Sequence, residues 1–159
     1  MPTNKRLAMD GGPPVRTGPP IPVTRVSWDG REQSAVQRVF ASGLFCSVYE
    51  QAREVKALER EFAAAVQAPH AIAFNSGSTA QHAALMALGI GPGDEVIVPT
   101  LTFVSTAYTV LLAGAIPVFA DVHPGTITID PRDVEQKITP RTKALVPVHW
   151  LGGPADMDA

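Results

Sequence analysis

The chain of 159 residues carries a formal net charge of −2, is 45% hydrophobic and 18% charged, and holds a single cysteine, Cys46. That length suffices for one domain with a real core, and that charge offers no basic surface to nucleic acid or an anionic membrane. No apolar run reaches transmembrane length and no secretory leader is legible; one cysteine excludes an intramolecular disulfide and a cysteine-rich zinc site, so a reducing cytoplasm is the expected compartment.

Residues 1–24, with "GGPPVRTGPPIPVT", read as a Pro/Gly-rich arm without a core of its own, followed by a domain over 25–159. Ser27 to Gln67 reads as mostly helical. Val36, Val39 and Phe40 fall at helical spacing and Ser42-Gly43 is a stop. The next helix places Val55, Leu58, Phe62 and Val66 on one face with charges opposite, paired along "REVKALERE". From residue 71 the pattern alternates. "AIAF" predicts a strand, "STAQHAALMALGI" a helix closed by Gly89, and "EVIVP" a strand. "TFVSTAYTVLLAG" predicts a helix closed by Gly114, and "PVFADV" a strand. "TITID" reads as a short extra strand, "PRDVEQKI" as a helix with Pro131 in its first turn, and "KALVPVHW" as the last strand. Val- and Ile-rich strands alternating with helices predict an α/β fold with a mostly parallel sheet flanked by helices.

"NSGSTA" lies at the end of its strand and leads into a helix N-terminus. Ligands of parallel sheets sit beyond the carboxyl ends of the strands. A helix N-terminus adds unpaired backbone N–H groups and a positive partial charge, both suited to phosphate. Gly77 permits close approach of the backbone, and Ser76, Ser78 and Thr79 add hydroxyls. Ser78 as a simple helix cap is the plainer alternative. The Gly-Lys-Ser/Thr ending of an ATP loop and the G-x-G-x-x-G dinucleotide fingerprint are both absent. A flavodoxin-like binder of flavin mononucleotide stays open, although some 70 residues precede the loop where that fold wants it near the start. Phe103 follows the next strand, placed either over a flat ring bound at the cup or in the core.

Other polar residues read as structural. His82, one turn into the helix, and His70 and His123, at turns, have no helical ligand spacing, so no metal site is expected. His149 stands at the ligand end of its strand, as either a site residue or a hydrogen-bonded histidine. Asp94 and Glu95 precede a strand and read as turn and solvent charges at the end opposite the cup. Asp121 follows a strand at the ligand end, where turn capping is its plainest use. Cys46 has no activating neighbour in the sequence.

The run from "SGSTAQHAALMALGIGPGDEVIVPTLTF" through "TPRTKALVPVHWLGGPADMDA" closely resembles the DegT/DnrJ/EryC1/StrS family of pyridoxal-phosphate sugar aminotransferases. The resemblance covers roughly residues 28–159 and is densest from Asn75 onward. It implies a truncated PLP fold-type I large domain, like that of aspartate aminotransferase. It implies pyridoxal 5'-phosphate held by Gly77, Ser78 and Thr79, with Phe103 stacked on the pyridine ring and Gly43 near the substrate entrance. Ser78 stands where the family often has threonine, and "LFCSVYEQARE" is an unusual version of the entrance loop. In the family, the Schiff-base lysine and the aspartate that pairs with the ring nitrogen lie downstream of "GGPADMDA". Lys5, Lys56, Lys137 and Lys143 are outside that context, so the chain as given is expected to be unable to transaminate. The resemblance further implies a homodimer, a keto-sugar or cyclitol substrate, and an amino donor. Two alternatives stand beside it: a sugar dehydratase of the same family, with histidine for the lysine, and a truncated, non-catalytic binder of a phosphate ligand. A truncated sheet would expose apolar surface and strand edges and make the isolated chain poorly soluble.

Overall fold

The computed structural model describes residues 6, 8–14, 16, 18–22, 24, 26–46, 48 and 53–159. Part of the expected arm, Lys5 and the expected helix start near residue 50 lie outside the described residues. The chain divides into two compact units, Met1–Glu54 and Val55–Ala159.

In the first unit a short 3-10 turn, Ala8–Asp10, precedes α1, Gly30–Ser42. Asp29 caps α1: its side chain accepts from Arg31 N–H at 2.8 Å, while Glu32 accepts from Asp29 N–H at 2.7 Å. This capping box starts the helix three residues later than Ser27 and satisfies N–H groups that a helix start leaves orphaned. Gly43, at φ 67°, ends α1 where Ser42-Gly43 predicted a stop. Phe40 and Phe45 meet edge to face with ring centroids 5.6 Å apart.

Helix α2, Arg53–Ala65, runs from the end of the first unit into the second. Its predicted inner face is not buried: Leu58, Phe62 and Val66 are each more than half exposed, and Ala63 is its buried residue. Periodicity identifies an amphipathic helix but not what covers the apolar face.

The second unit is built on β1 (Glu95–Pro99), β2 (Ile116–Ala120) and β3 (Thr142–Leu145), in the order β2-β1-β3 with both pairings parallel. Helices α3 (Gly77–Ala87), α4 (Ser105–Leu112) and α5 (Pro131–Lys137) complete it. Strand β1 is central and buried on both faces, which is why "EVIVP" shows no polar alternation. Val96 and Val98 join Leu85, Ile90, Val110, Ala113 and Ala115 on the face covered by α3 and α4. Ile97 joins Ala120, Ile129, Val134 and Ala155 on the α5 face. Each such branched side chain removed from water contributes about 1.5–3 kcal/mol.

Three strand expectations change. Residues 71–74 form no ladder; Ala73 N–H donates instead to Glu59 Oε1 at 2.9 Å. A strand needs a neighbour, and none of the described strands lies beside this segment. The last strand ends at Leu145, with Val146 N–H still reaching Ile97 O at 2.9 Å before the chain turns at Trp150–Gly152. "TITID" yields one antiparallel bridge, Val122 with Ile129.

Glycine places the helices. Gly89, at φ 71°, ends α3 with Ile90 N–H on Leu85 O and Gly89 N–H on Met86 O; Gly114, at φ 78°, ends α4 in the same way. These paired bonds require a left-handed residue. A Cβ on Gly114 would lie 3.3 Å from Pro92 Cγ, so the turns that close α3 and α4 abut where β1 and β2 begin. Both helices therefore run back along the strands, and their N-termini point toward the carboxyl edge of the sheet. Eleven helical residues and five strand residues each span about 16 Å, so α3 covers the full height of β1.

Candidate functional site

The carboxyl edge gathers the start of α3, the loop after β1 and the turn after β3. Ser76, not Ser78, is the cap of α3: its Oγ accepts from Thr79 N–H at 3.1 Å and lies 2.8 Å from Thr79 Oγ1. Ala80 N–H is satisfied by Ser76 O at 3.1 Å. The N–H groups of Gly77 and Ser78 have no partner among the described residues, and the Ser78 hydroxyl is uncommitted. A Cβ added to Gly77 would enter open space, with no atom within 4 Å. The result is a helix start with two donors and one hydroxyl unpartnered among the described residues, at the positive end of an 11-residue helix. Of the three hydroxyls expected to line the cup, Ser76 and Thr79 bond to each other and organise it, while that of half-buried Ser78 has no partner among the described residues.

Phe103 sits in the loop between β1 and α4 and is 69% exposed, outside both core clusters. Its carbonyl accepts from Thr106 N–H at 3.0 Å, and Thr102 Oγ1 lies 2.8 Å from Thr106 Oγ1, so the loop is tied to the first turn of α4. Gly77, Ser78, Thr79 and Phe103 thus share one unit and one edge of its sheet. Gly43 ends α1 in the first unit.

The other polar residues divide by edge. At the carboxyl edge His149 Nδ1 accepts from Ala155 N–H at 2.9 Å, which fixes the turn after β3. Asp121 holds α5 through its backbone, its N–H donating to Asp133 Oδ2 at 2.6 Å; its side chain caps nothing among the described residues. Lys137 and that N–H, in this order, hold the Asp133 carboxyl below its ordinary range. His123 Nδ1 accepts from Gly125 N–H at 3.1 Å in a turn. In α3, His82 Nε2 and Gln81 Oε1 are buried without a partner among the described residues.

At the amino edge Glu95 departs from expectation. It is not a solvent charge but 4% exposed: its Oε2 accepts from the Thr139 hydroxyl at 2.5 Å, and its Oε1 accepts from both Arg141 Nε, at 2.8 Å, and Arg141 Nη2. The Thr139 hydroxyl first, then Arg141, hold its carboxyl below the ordinary range. Asp94 keeps its expected turn role, accepting from Gly91 N–H at 3.0 Å. Lys143, in β3, begins from this edge too, away from Ser78 and Phe103. Sequence reasoning missed Ser76 as the cap, although a serine three residues before Thr79 was the signal. It also missed Arg141, whose pairing with Glu95 spans 46 residues.

The model of the DegT/DnrJ/EryC1/StrS aminotransferase family matches residues 27–159. The chain belongs to this family. It is 57% identical over 106 residues to spore coat polysaccharide biosynthesis protein SpsC of Bacillus subtilis, which covers 67% of this chain and 27% of SpsC. Among solved structures it is similar to DesV of S. venezuelae, with TM-score 0.74 and 46% identity over 81% of this chain and 34% of that one. It is also similar to NtdA of Bacillus subtilis, described with bound cofactor PMP, with TM-score 0.73 and 36% identity over 79% of this chain and 28% of NtdA. The fold is that of PLP fold-type I aminotransferases. The chain spans about a quarter to a third of the length of these relatives. Among the described residues no helix is long and apolar enough to cross a membrane.

Proposed function

We propose that this chain is the N-terminal part of a pyridoxal-phosphate-dependent aminotransferase. In the complete polypeptide it moves an amino group from Glu or Gln to a nucleotide-linked keto sugar or a cyclitol. Residues 25–159 form part of the cofactor-binding domain, residues 1–24 an arm, and the protein works as a cytoplasmic homodimer independent of nucleic acid and membrane. The observation that carries this reading is the start of α3, where the Gly77 and Ser78 N–H groups and the Ser78 hydroxyl have no partner among the described residues and a Cβ on Gly77 would meet no atom within 4 Å.

These groups suit the dianionic end of pyridoxal phosphate. Two backbone donors and a hydroxyl hold phosphate oxygens, and the helix dipole complements the charge without a lysine or arginine. Thr79 contributes by keeping Ser76 Oγ on the first turn. Phe103, exposed at the neighbouring loop, supplies an aromatic face for the pyridine ring. When bound, the cofactor supplies the electron sink that amino-group transfer needs. The base that moves the proton and the carboxylate that pairs with the ring nitrogen come from the polypeptide beyond this sequence. Gly43 belongs to the substrate entrance.

Titration of the complete protein with pyridoxal phosphate, followed by absorbance, tests this reading. Ser78→Ala is expected to weaken retention of the cofactor, and Phe103→Ala to loosen it and shift its absorption band. A wild-type protein that takes up no cofactor sinks the proposal. Consumption of keto sugar with no amine formed would assign the dehydratase reaction instead.

A further inference from the structure

Two threonines of α4 are buried deeper than most of its apolar residues: Thr106 is 3% exposed and Thr109 1%. Thr106 precedes Val110 by one turn and so shares the face that Val110 packs into the core. Valine would fill the same volume there and leave no hydroxyl to satisfy, so a threonine at this depth needs a partner. Thr109 finds one inside the helix, its Oγ1 donating to Thr106 O at 3.4 Å. Thr106 reaches out of the helix instead. Its Oγ1 lies 2.8 Å from Thr102 Oγ1, and its N–H donates to Phe103 O at 3.0 Å. This is not the work of a cap. Among the described residues neither hydroxyl of the Thr102–Thr106 pair accepts from a helix N–H, unlike Ser76 at the start of α3.

What the two bonds hold is the backbone of Phe103. The direction of a side chain is set by the N, Cα and C atoms of its own residue. At Phe103 the C end is held by the bond from Thr106 N–H to its carbonyl. The N end is the peptide from Thr102, and the side chain of Thr102 is held by the Thr106 hydroxyl. With both ends tied to one buried residue, the Phe103 Cα–Cβ bond has a single direction. Without the hydroxyl, the turn from Phe103 to Thr106 survives, but the Thr102–Phe103 peptide is released. Resting on the aminotransferase reading above, we propose that Thr106 is a positioning residue that acts through Thr102 to fix where the Phe103 ring meets the pyridine ring of the cofactor. Stacking of two flat rings depends on their offset and separation, so a loosened support weakens it even with the aromatic side chain intact.

The test titrates the complete protein with pyridoxal phosphate and reads affinity by absorbance and ring orientation by circular dichroism of the cofactor band. Thr106→Val is expected to weaken binding about 3- to 10-fold, the range one net hydrogen bond supplies, and to reduce the dichroism. Thr106→Ser keeps the hydroxyl and should restore both. Thr102→Val removes the same bond from the half-buried side and should reproduce the loss, which carries the test if Thr106→Val does not fold. Thr109→Val removes an equally buried hydroxyl that bonds only within α4; it should shift the thermal midpoint and leave affinity and dichroism alone. The deciding comparison is a double-mutant cycle. In a Phe103→Ala background, Thr106→Val or Thr102→Val should change cofactor affinity by less than about two-fold, because the ring they position is gone. Equal losses with and without the Phe103 ring, the same loss in Thr109→Val, or wild-type affinity and dichroism in Thr102→Val overturn this inference alone. A wild-type protein that shows no cofactor band overturns the aminotransferase reading, and this inference with it.

Discussion

Ser76 and Thr79 close the first turn of α3 on each other: the serine Oγ receives the threonine N–H at 3.1 Å and shares a hydrogen bond with its hydroxyl at 2.8 Å. This pairing leaves the next two donors, on Gly77 and Ser78, without a partner among the described residues. Ser76→Ala removes both bonds. The expected loss is about 0.5–2 kcal/mol of unfolding free energy, read by urea titration. Cofactor affinity should fall with it, because the fraying turn carries the phosphate donors. Ser76→Asp restores the cap but places a negative charge at the anion site; it should recover stability and not affinity.

Gly77→Ala separates folding from binding in the opposite sense. Gly77 is the first residue of α3, and a Cβ there touches nothing. Alanine should raise stability by about 0.5–1 kcal/mol, because the unfolded chain loses freedom and the helix keeps its geometry. The same methyl enters the space in front of the donors and should weaken binding of pyridoxal phosphate. A variant that is both more stable and equally tight for the cofactor would remove Gly77 from the site.

Glu95 gives the fold a pH dependence. Its folded carboxyl is held below 4.5, first by Thr139 and then by Arg141. A depressed folded value means that the ionised form favours the folded state. That stability is present above about pH 4.5 and is lost as pH falls through the folded value. Asp29 and Asp133 are lowered too and add slopes of the same sign. The contribution of Glu95 is therefore the difference between wild type and Glu95→Gln in urea midpoints from pH 3 to pH 7. The variant should be less stable at pH 7, with the gap narrowing toward pH 3. A constant gap would show that burial of the amide, rather than ionisation, sets the loss.

The parallel core was legible because burial on both faces leaves a continuous apolar run, as in Val96, Ile97 and Val98. Gly89 and Gly114 marked the ends of α3 and α4 for an equally local reason: a left-handed residue must follow the helix. What stayed hidden depends on distant partners. Glu95 looked like a solvent charge because Arg141 and Thr139 are 46 and 44 residues away. Residues 71–74 looked like a strand because a short apolar run, Ala71 to Phe74, reports burial and not a neighbour to pair with. In the cup, the hydroxyl-rich composition was visible, but whether Ser76 or Ser78 caps the helix was settled by the backbone of Ser76, at φ −158° and ψ 157°.

Gln67 shows the same helix-ending rule met by an unsuited residue. It occupies the position after α2 that Gly89 and Gly114 occupy after α3 and α4, with φ 55° and the same pair of bonds, Gln67 N–H to Ala64 O at 3.3 Å and Ala68 N–H to Ala63 O at 2.9 Å. An L side chain in this conformation crowds its own carbonyl, and glycine does not. Part of that relief is offset by the greater freedom of glycine in the unfolded chain. Gln67→Gly should therefore stabilise the protein by about 0.5–1 kcal/mol in a urea titration, and Gln67→Val, branched at Cβ, should destabilise it. If glycine lowers the midpoint instead, the Gln67 side chain supplies a contact worth more than the strain it imposes.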